Sequence, residues 1–323
     1  MQKKENLKPA LLLQIIRGNK TETMHYGWIC VLDKNKKVIY KKGNIKDSIF
    51  LRSALKPIQA IPFLESTIKT NYKELAIICA SHSGSERHIS LLKTLLKKSN
   101  LTTSCLQCGT HEPFDATEKQ KLYKAGLLSN VLHNNCSGKH IGMLLVCKKR
   151  NWDLKNYLDS KHPLQKLILK KVKELSETKK IFTGIDGCSA PIFALPILNI
   201  AVMFSNFTND KRYSNIINAM RLNPYLIGGK NQIDSEIIKA SGGKLIAKVG
   251  AEGVLTIAYK GNSAIIKIAD GSQKARSIVA LRLLIKLGWL KESQIKNSVL
   301  KKIFDFKIKN HAGKIVGEIK PVF

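Results

Sequence analysis

Arg52-Ser53-Ala54-Leu55-Lys56-Pro57 is the stretch on which the reading of this chain turns. It follows the apolar Ile49-Phe50-Leu51 and precedes a proline-punctuated apolar segment that runs to Leu64. Ser53 and Lys56 stand three residues apart. On the first turn of a helix they share a face, and a neutral Lys56 amine reaches the Ser53 hydroxyl to take its proton. Apolar flanks bury such a lysine in part, and burial lowers an amine pKa toward the range where it acts as a base. Spacing alone says little, because Ser-x-x-Lys occurs seven times, starting at Ser53, Ser66, Ser90, Ser176, Ser241, Ser293 and Ser298. Context singles out the first.

Three more segments are dense in small polar residues and sit at the edge of an apolar pattern, where a rigid scaffold presents reactive groups. Cys79-Ala80-Ser81-His82-Ser83-Gly84 follows the unbroken apolar run Leu75–Ala80, which reads as a central strand buried on both faces. Ser81 there suits a nucleophile or an oxyanion site, and equally a helix cap; His82 is a candidate base or a turn residue. In Asn134-Asn135-Cys136-Ser137-Gly138-Lys139-His140, the residues Cys136, Lys139 and His140 lie at i, i+3 and i+4 of a starting helix. With Cys188 from Gly184-Ile185-Asp186-Gly187-Cys188-Ser189 they are a candidate set for a metal such as zinc, though the spacing follows no common zinc pattern. Cys105-x-x-Cys108 has no mate and reads as structural or incidental. Gly138-Lys139 lacks the rest of a phosphate-binding loop.

Outward from these segments, strand-length apolar runs alternate with helical spacings. Strands are expected at Ala10–Ile16, in a hairpin of Tyr26–Leu32 with Lys37–Tyr40, and at Lys244–Lys248, Val254–Lys260 and Ala264–Ile268. Helices are expected at Glu86–Lys98, Ser137–Arg150, Pro163–Leu175, Tyr213–Arg221 and Gln273–Leu287. The fold class is α/β, an α+β mixed sheet with flanking helices, in one domain over residues 1–323. Hydrophobic residues make up 44% of the chain, enough for a proper core and against global disorder. No apolar run approaches a membrane span of roughly 18 residues, and the N-terminal segment lacks a convincing cleavage site, so a cytoplasmic protein is expected. Seven cysteines, an odd number, do not suggest a disulfide framework.

The formal net charge of +32 invites a nucleic-acid reading. Of the 55 basic residues only eight are arginine, which leaves 55 − 8 = 47 lysines spread along the whole chain. Aromatic residues are 7%, and no interleaved aromatic-basic motif accompanies the charge. The pattern reads as a solvated lysine-rich surface rather than a phosphate-reading face, so no nucleic-acid partner is expected.

Taken in order, the segments resemble the Rhizobium-etli-type L-asparaginases, the class 3 or asparaginase II family. The resemblance runs from Ile16-Arg17-Gly18 and Thr21-Glu22-Thr23-Met24-His25 through Arg52–Ala60, Cys79–Ser83, Cys108–His111 and Asn134–Met143. It continues through Asp186-Gly187-Cys188, Lys248–Val254 and Lys267–Gly271 to Val316-Gly317-Glu318-Ile319. It implies a fold similar to serine β-lactamases and glutaminases, whose active-site helix also opens with Ser-x-x-Lys. It implies two serine–lysine pairs, Ser53 with Lys56 and Ser81 with Lys267; the sequence leaves the nucleophile open between the two serines, with Ser53 favoured. It implies zinc held by Cys136, Lys139 and Cys188, with Asp186 orienting water or substrate and Arg52, His82 and His140 around them. The activity implied is hydrolysis of L-asparagine to L-aspartate and ammonia by a homodimer, with glutamine or a lactam as alternative substrates. In one place the chain departs from the pattern. Gln232-Ile233-Asp234-Ser235 stands where the family tends to carry an arginine before Asp-Thr, which removes a cationic contact to a substrate carboxylate.

Overall fold

The apolar run near the start of the chain forms the expected strand, and the hairpin after it extends the same sheet. The computed structural model describes residues 6–323. In chain order the strands are β1 (Ala10–Arg17), β2 (Lys20–Leu32), β3 (Val38–Lys42), β4 (Ser48–Phe50), β5 (Phe182–Ile185) and β6 (Pro191–Pro196). They continue as β7 (Ile246–Gly250), β8 (Val254–Tyr259), β9 (Asn262–Ile268), β10 (Lys307–Lys309) and β11 (Ile315–Pro321). Eight of them form an antiparallel sheet in the order β10-β11-β1-β2-β9-β8-β7, with β3 pairing β2 off that path. The register at its centre sets Gly27 opposite Ile268 and Trp28 opposite Lys267. A smaller sheet, β4-β6-β5, stands apart. The architecture is the mixed α/β class that the alternation of runs predicts.

Helices pack against the large sheet and against one another. Ile197–Asn209 lies on β2, β8 and β9, and Gln273–Lys286 on β1, β8, β9 and β11. Leu75–Ala80 is not a strand. It lies largely in the helix Tyr72–Ile78, packed between the helices Ser137–Lys149 and Ser214–Leu222. Burial on all sides is as expected, but the conformation is set by Asn71, whose side chain accepts from the N–H groups of Lys73 and Glu74. Glu74 closes the capping box by accepting from Asn71 N–H.

Two glycines let backbone approach backbone where the candidate residues lie. A Cβ on Gly250 of β7 would stand 2.3 Å from the Leu51 carbonyl, so β7 presses directly on the turn that carries Ser53. A Cβ on Gly138 would stand 2.2 Å from the Ile77 carbonyl, which seats the Ser137–Lys149 helix on the helix ending before Ser81. The small sheet delivers the remaining parts. Strand β4 leads straight into Arg52, and the β5–β6 hairpin carries Asp186 and Cys188 at its tip. Among the described residues no helix is long and apolar enough to cross a membrane.

Candidate active site

Ser53 lies on a single 3-10 turn, Arg52–Leu55, and Lys56 opens the short α-helix that follows. The turn is entered through Arg52 at φ +51°, a left-handed conformation costly for a residue with a side chain. The Lys56 side chain is 1% exposed. Its Nζ donates to the Ala80 carbonyl at 2.7 Å and to the Asn135 carbonyl at 3.1 Å, and lies 3.0 Å from Ser81 Oγ. Two carbonyls and the Ser81 hydroxyl thus fix the position of the Lys56 amine. Ser53 Oγ has no hydrogen-bond partner among the described residues, and neither does its backbone N–H.

Lys56 is therefore bonded to Ser81 and not to Ser53, and the expected pairing of Ser81 with Lys267 is not formed. Lys267 Nζ is taken up by the carbonyls of Glu252 and Ile268, both at 2.6 Å, and no serine hydroxyl lies within hydrogen-bond distance of it. It belongs to β9, which β8 separates from β7. The lysine that β7 brings beside the Lys56 turn is Lys248, which the sequence reading did not single out. Lys248 is 1% exposed and pairs with the fully buried Asp234, Nζ to Oδ2 at 3.2 Å. Asp234 Oδ2 also accepts from Val249 N–H, and its Oδ1 accepts from Ser235 N–H. Burial and, less strongly, the Lys56 charge push the Lys248 amine down to about 8, although Asp234 pulls the other way. The signal available in sequence was Lys248-Val249-Gly250, a lysine just before the glycine that an apolar strand needs for close approach.

The candidate metal residues do come together. Cys136, Lys139 and Cys188 are all buried, and Lys139 Nζ stands 3.0 Å from Cys188 Sγ. A hydrogen bond from Cys188 pulls the Cys136 thiol well below its usual range against the effect of burial, and the Lys56 and Lys139 charges add to it. The same bond and burial raise the Cys188 thiol. Burial disfavours the Lys139 ammonium, but the two sulfurs and the Asp186 carboxylate outweigh it and hold the group at about 12. Two soft sulfurs fit a zinc ion by donor chemistry, and Lys139 would join them only by giving up the proton that these surroundings favour. Among the described residues no three His, Cys, Asp or Glu side chains cluster to hold a metal. All seven cysteines are free thiols.

Arg52 and Asp186 meet at the rim, Nε to Oδ1 at 2.8 Å, tying the Ser53 turn to the Cys188 loop. The two histidines are not at the rim. His82 and His140 are wholly buried, and burial holds both well below the usual imidazole range, so both are neutral. His82 accepts from Gly84 N–H through Nδ1, which places its proton on Nε2, 2.9 Å from Ser137 Oγ. His140 Nδ1 lies 2.7 Å from the Tyr157 hydroxyl. Their contacts brace the segments that carry Ser81 and Lys139. Tyr157 is a further residue that the sequence did not flag. It is fully buried, and its hydroxyl also accepts from Gln107 N–H.

A family model described as L-asparaginase II matches residues 13–321. No curated protein matches the chain by sequence. Among solved structures, a Bacteroides dorei DSM 17855 protein assigned as a beta-lactamase is similar at 10% identity and a TM-score of 0.42, covering 80% of this chain and 93% of its own. A LovD6 mutant of simvastatin synthase (LovD) from Aspergillus terreus is similar at 10% identity and a TM-score of 0.33, covering 80% of this chain and 90% of its own.

Proposed function

The chain belongs to the L-asparaginase II family, and from that premise we propose that it is an amidohydrolase cleaving the side-chain amide of L-asparagine through an acyl-enzyme. One arrangement supports the reading above all. The Lys56 amine is withdrawn from water and fixed by two carbonyls, with Ser81 at 3.0 Å and Ser53 one turn back on its own chain. A neutral Lys56 takes the Ser53 proton as Ser53 Oγ attacks the amide carbon, and Ser81 links the two groups as a proton path. The unengaged Ser53 N–H is a donor for the resulting oxyanion. The carbon–nitrogen bond then breaks as the proton passes to the leaving nitrogen, and ammonia departs. Water, deprotonated by the same amine, attacks the ester to release aspartate and restore Ser53.

Arg52 offers its guanidinium to the substrate carboxylate, and Asp186 orients the amino end or the incoming water. Lys248, held at about 8 beside Asp234, is a second amine able to shed its proton near neutral pH. Cys136, Lys139 and Cys188 would hold zinc; when bound, the ion supplies a fixed positive charge beside the substrate. A second reading makes Ser81 the nucleophile, because Ser81 is the serine that Lys56 already contacts. The proposal carries with it a cytoplasmic homodimer acting on a small-molecule substrate.

Ammonia release from asparagine and glutamine, with and without added zinc or a chelator, tests the proposal. Ser53→Ala and Lys56→Ala are each expected to lose roughly a thousandfold or more in kcat. Wild-type turnover in both variants would remove these residues from the chemistry. Rapid quench with mass spectrometry locates the acyl group on Ser53 or Ser81. Activity indifferent to metal would leave the Cys136, Lys139 and Cys188 cluster a structural role only.

A further inference from the structure

Away from the serines, the start of the Ile233–Ala240 helix, the first turn of Gln273–Lys286 and the Lys301–Lys309 segment enclose a groove of about 600 Å³. Gln232 stands at the N-cap of the first helix and makes no side-chain capping bond, so its amide remains available to the groove. Arg276 lines the floor. It is 5% exposed, one of only eight arginines in the chain, yet its five N–H groups are almost unused. Nη1 reaches the Gly250 carbonyl at a long 3.4 Å, and the buried Nε has no partner. The nearest buried carboxylate, Asp234, is committed to Lys248 and to the backbone N–H groups of Ser235 and Val249. A guanidinium in this condition is an unmet demand for an oxyanion, since burying a charge without hydrogen bonds costs folding free energy.

The walls have the same sign. Lys274, Lys302 and Lys307 line the groove with Arg276, and Asp305 is the single acid among the lining residues, so the lining sums to 4 − 1 = +3. None of these three lysines makes an ion pair among the described residues. We propose that this groove is an anion site, taking a small dianion of the phosphate or dicarboxylate class, with Arg276 as its buried anchor and the lysines as its rim. Fork-shaped recognition of two oxygens is what a guanidinium supplies and a lysine does not. The inference rests on no part of the amidohydrolase reading.

Calorimetric titration of the full chain with inorganic phosphate and, separately, with succinate tests it, at ionic strength matched with sodium chloride. A Ser53→Ala, Ser81→Ala background keeps the catalytic serines out of the measurement. One saturable site is expected for at least one of the two anions, and which anion binds identifies the class. Arg276→Met should weaken that binding about tenfold or more. The Lys302→Gln, Lys307→Gln variant, whose changes fall on exposed side chains, should weaken it roughly threefold. The double-lysine variant decides the matter if Arg276→Met does not fold. Absence of saturable binding by either anion, or unchanged affinity in the double-lysine variant, overturns the proposal.

Discussion

Lys248 and Lys267 both lie on strands of one sheet, and their surroundings assign them different work. Lys267 spends its amine on two carbonyls, as a structural clamp does. Lys248 is shut away with Asp234, and burial brings it down to about 8. Hence kcat/KM for amide hydrolysis is expected to rise as pH climbs through about 8 and Lys248 gives up its proton. A pH–rate profile checks this; Lys248→Met should erase that limb and cost about a hundredfold in rate. Lys267→Met should lower the melting temperature and leave turnover nearly intact. The depressed pKa also fixes a sign for stability. The cost of holding a charged Lys248 is full below about 8 and is relieved as pH rises toward the ordinary value of 10.5. Ser-x-x-Lys was legible because apolar flanks mark a buried lysine. The partner of that lysine was not, because Ser81 arrives from another segment and the contact is made in space.

At the scale of elements, the helix Tyr72–Ile78 shows where pattern fails. Six apolar residues in a row are as fit for a buried strand as for a buried helix, and periodicity does not separate them. The deciding signal lay just upstream, in Asn71 and Glu74 at capping-box spacing. Asn71→Ala is expected to cost about 1 kcal/mol of stability, read from the denaturant midpoint. Burial pushes the Glu74 carboxyl up, but hydrogen bonds from Asn71, Thr70 and Lys98, with the Lys98 charge, hold it below its ordinary 4.5. Its contribution is therefore fully present above 4.5 and is lost as pH falls through the lower folded-state value. Glu74→Gln should flatten that part of the acid-unfolding curve. The longer amphipathic helices and the hairpin of β2 with β3 were legible because their periods run over enough residues to be unambiguous.

At the scale of the molecule, a net charge of +32 on 323 residues means self-repulsion in the compact state. Raising sodium chloride from low to physiological concentration should raise the melting temperature, because screening acts at about 8–10 Å. A melting temperature that falls with salt would show that attractive surface pairs outweigh the repulsion. What composition could not show is the order in which the large sheet is assembled. His25 of β2 meets Asp270 just beyond β9, a contact spanning 245 positions, and every residue from Arg52 to Lys248 lies inside the loop that this pairing closes. At a synthesis rate of about 5–20 residues per second, β2 waits roughly 10–50 s for its neighbour to be made. For that interval the nascent chain carries an open, apolar strand edge and a candidate site with no Lys248 strand behind it. Occupancy by a chaperone during those seconds, rather than the stability of the finished fold, would then govern how much active protein a cell obtains.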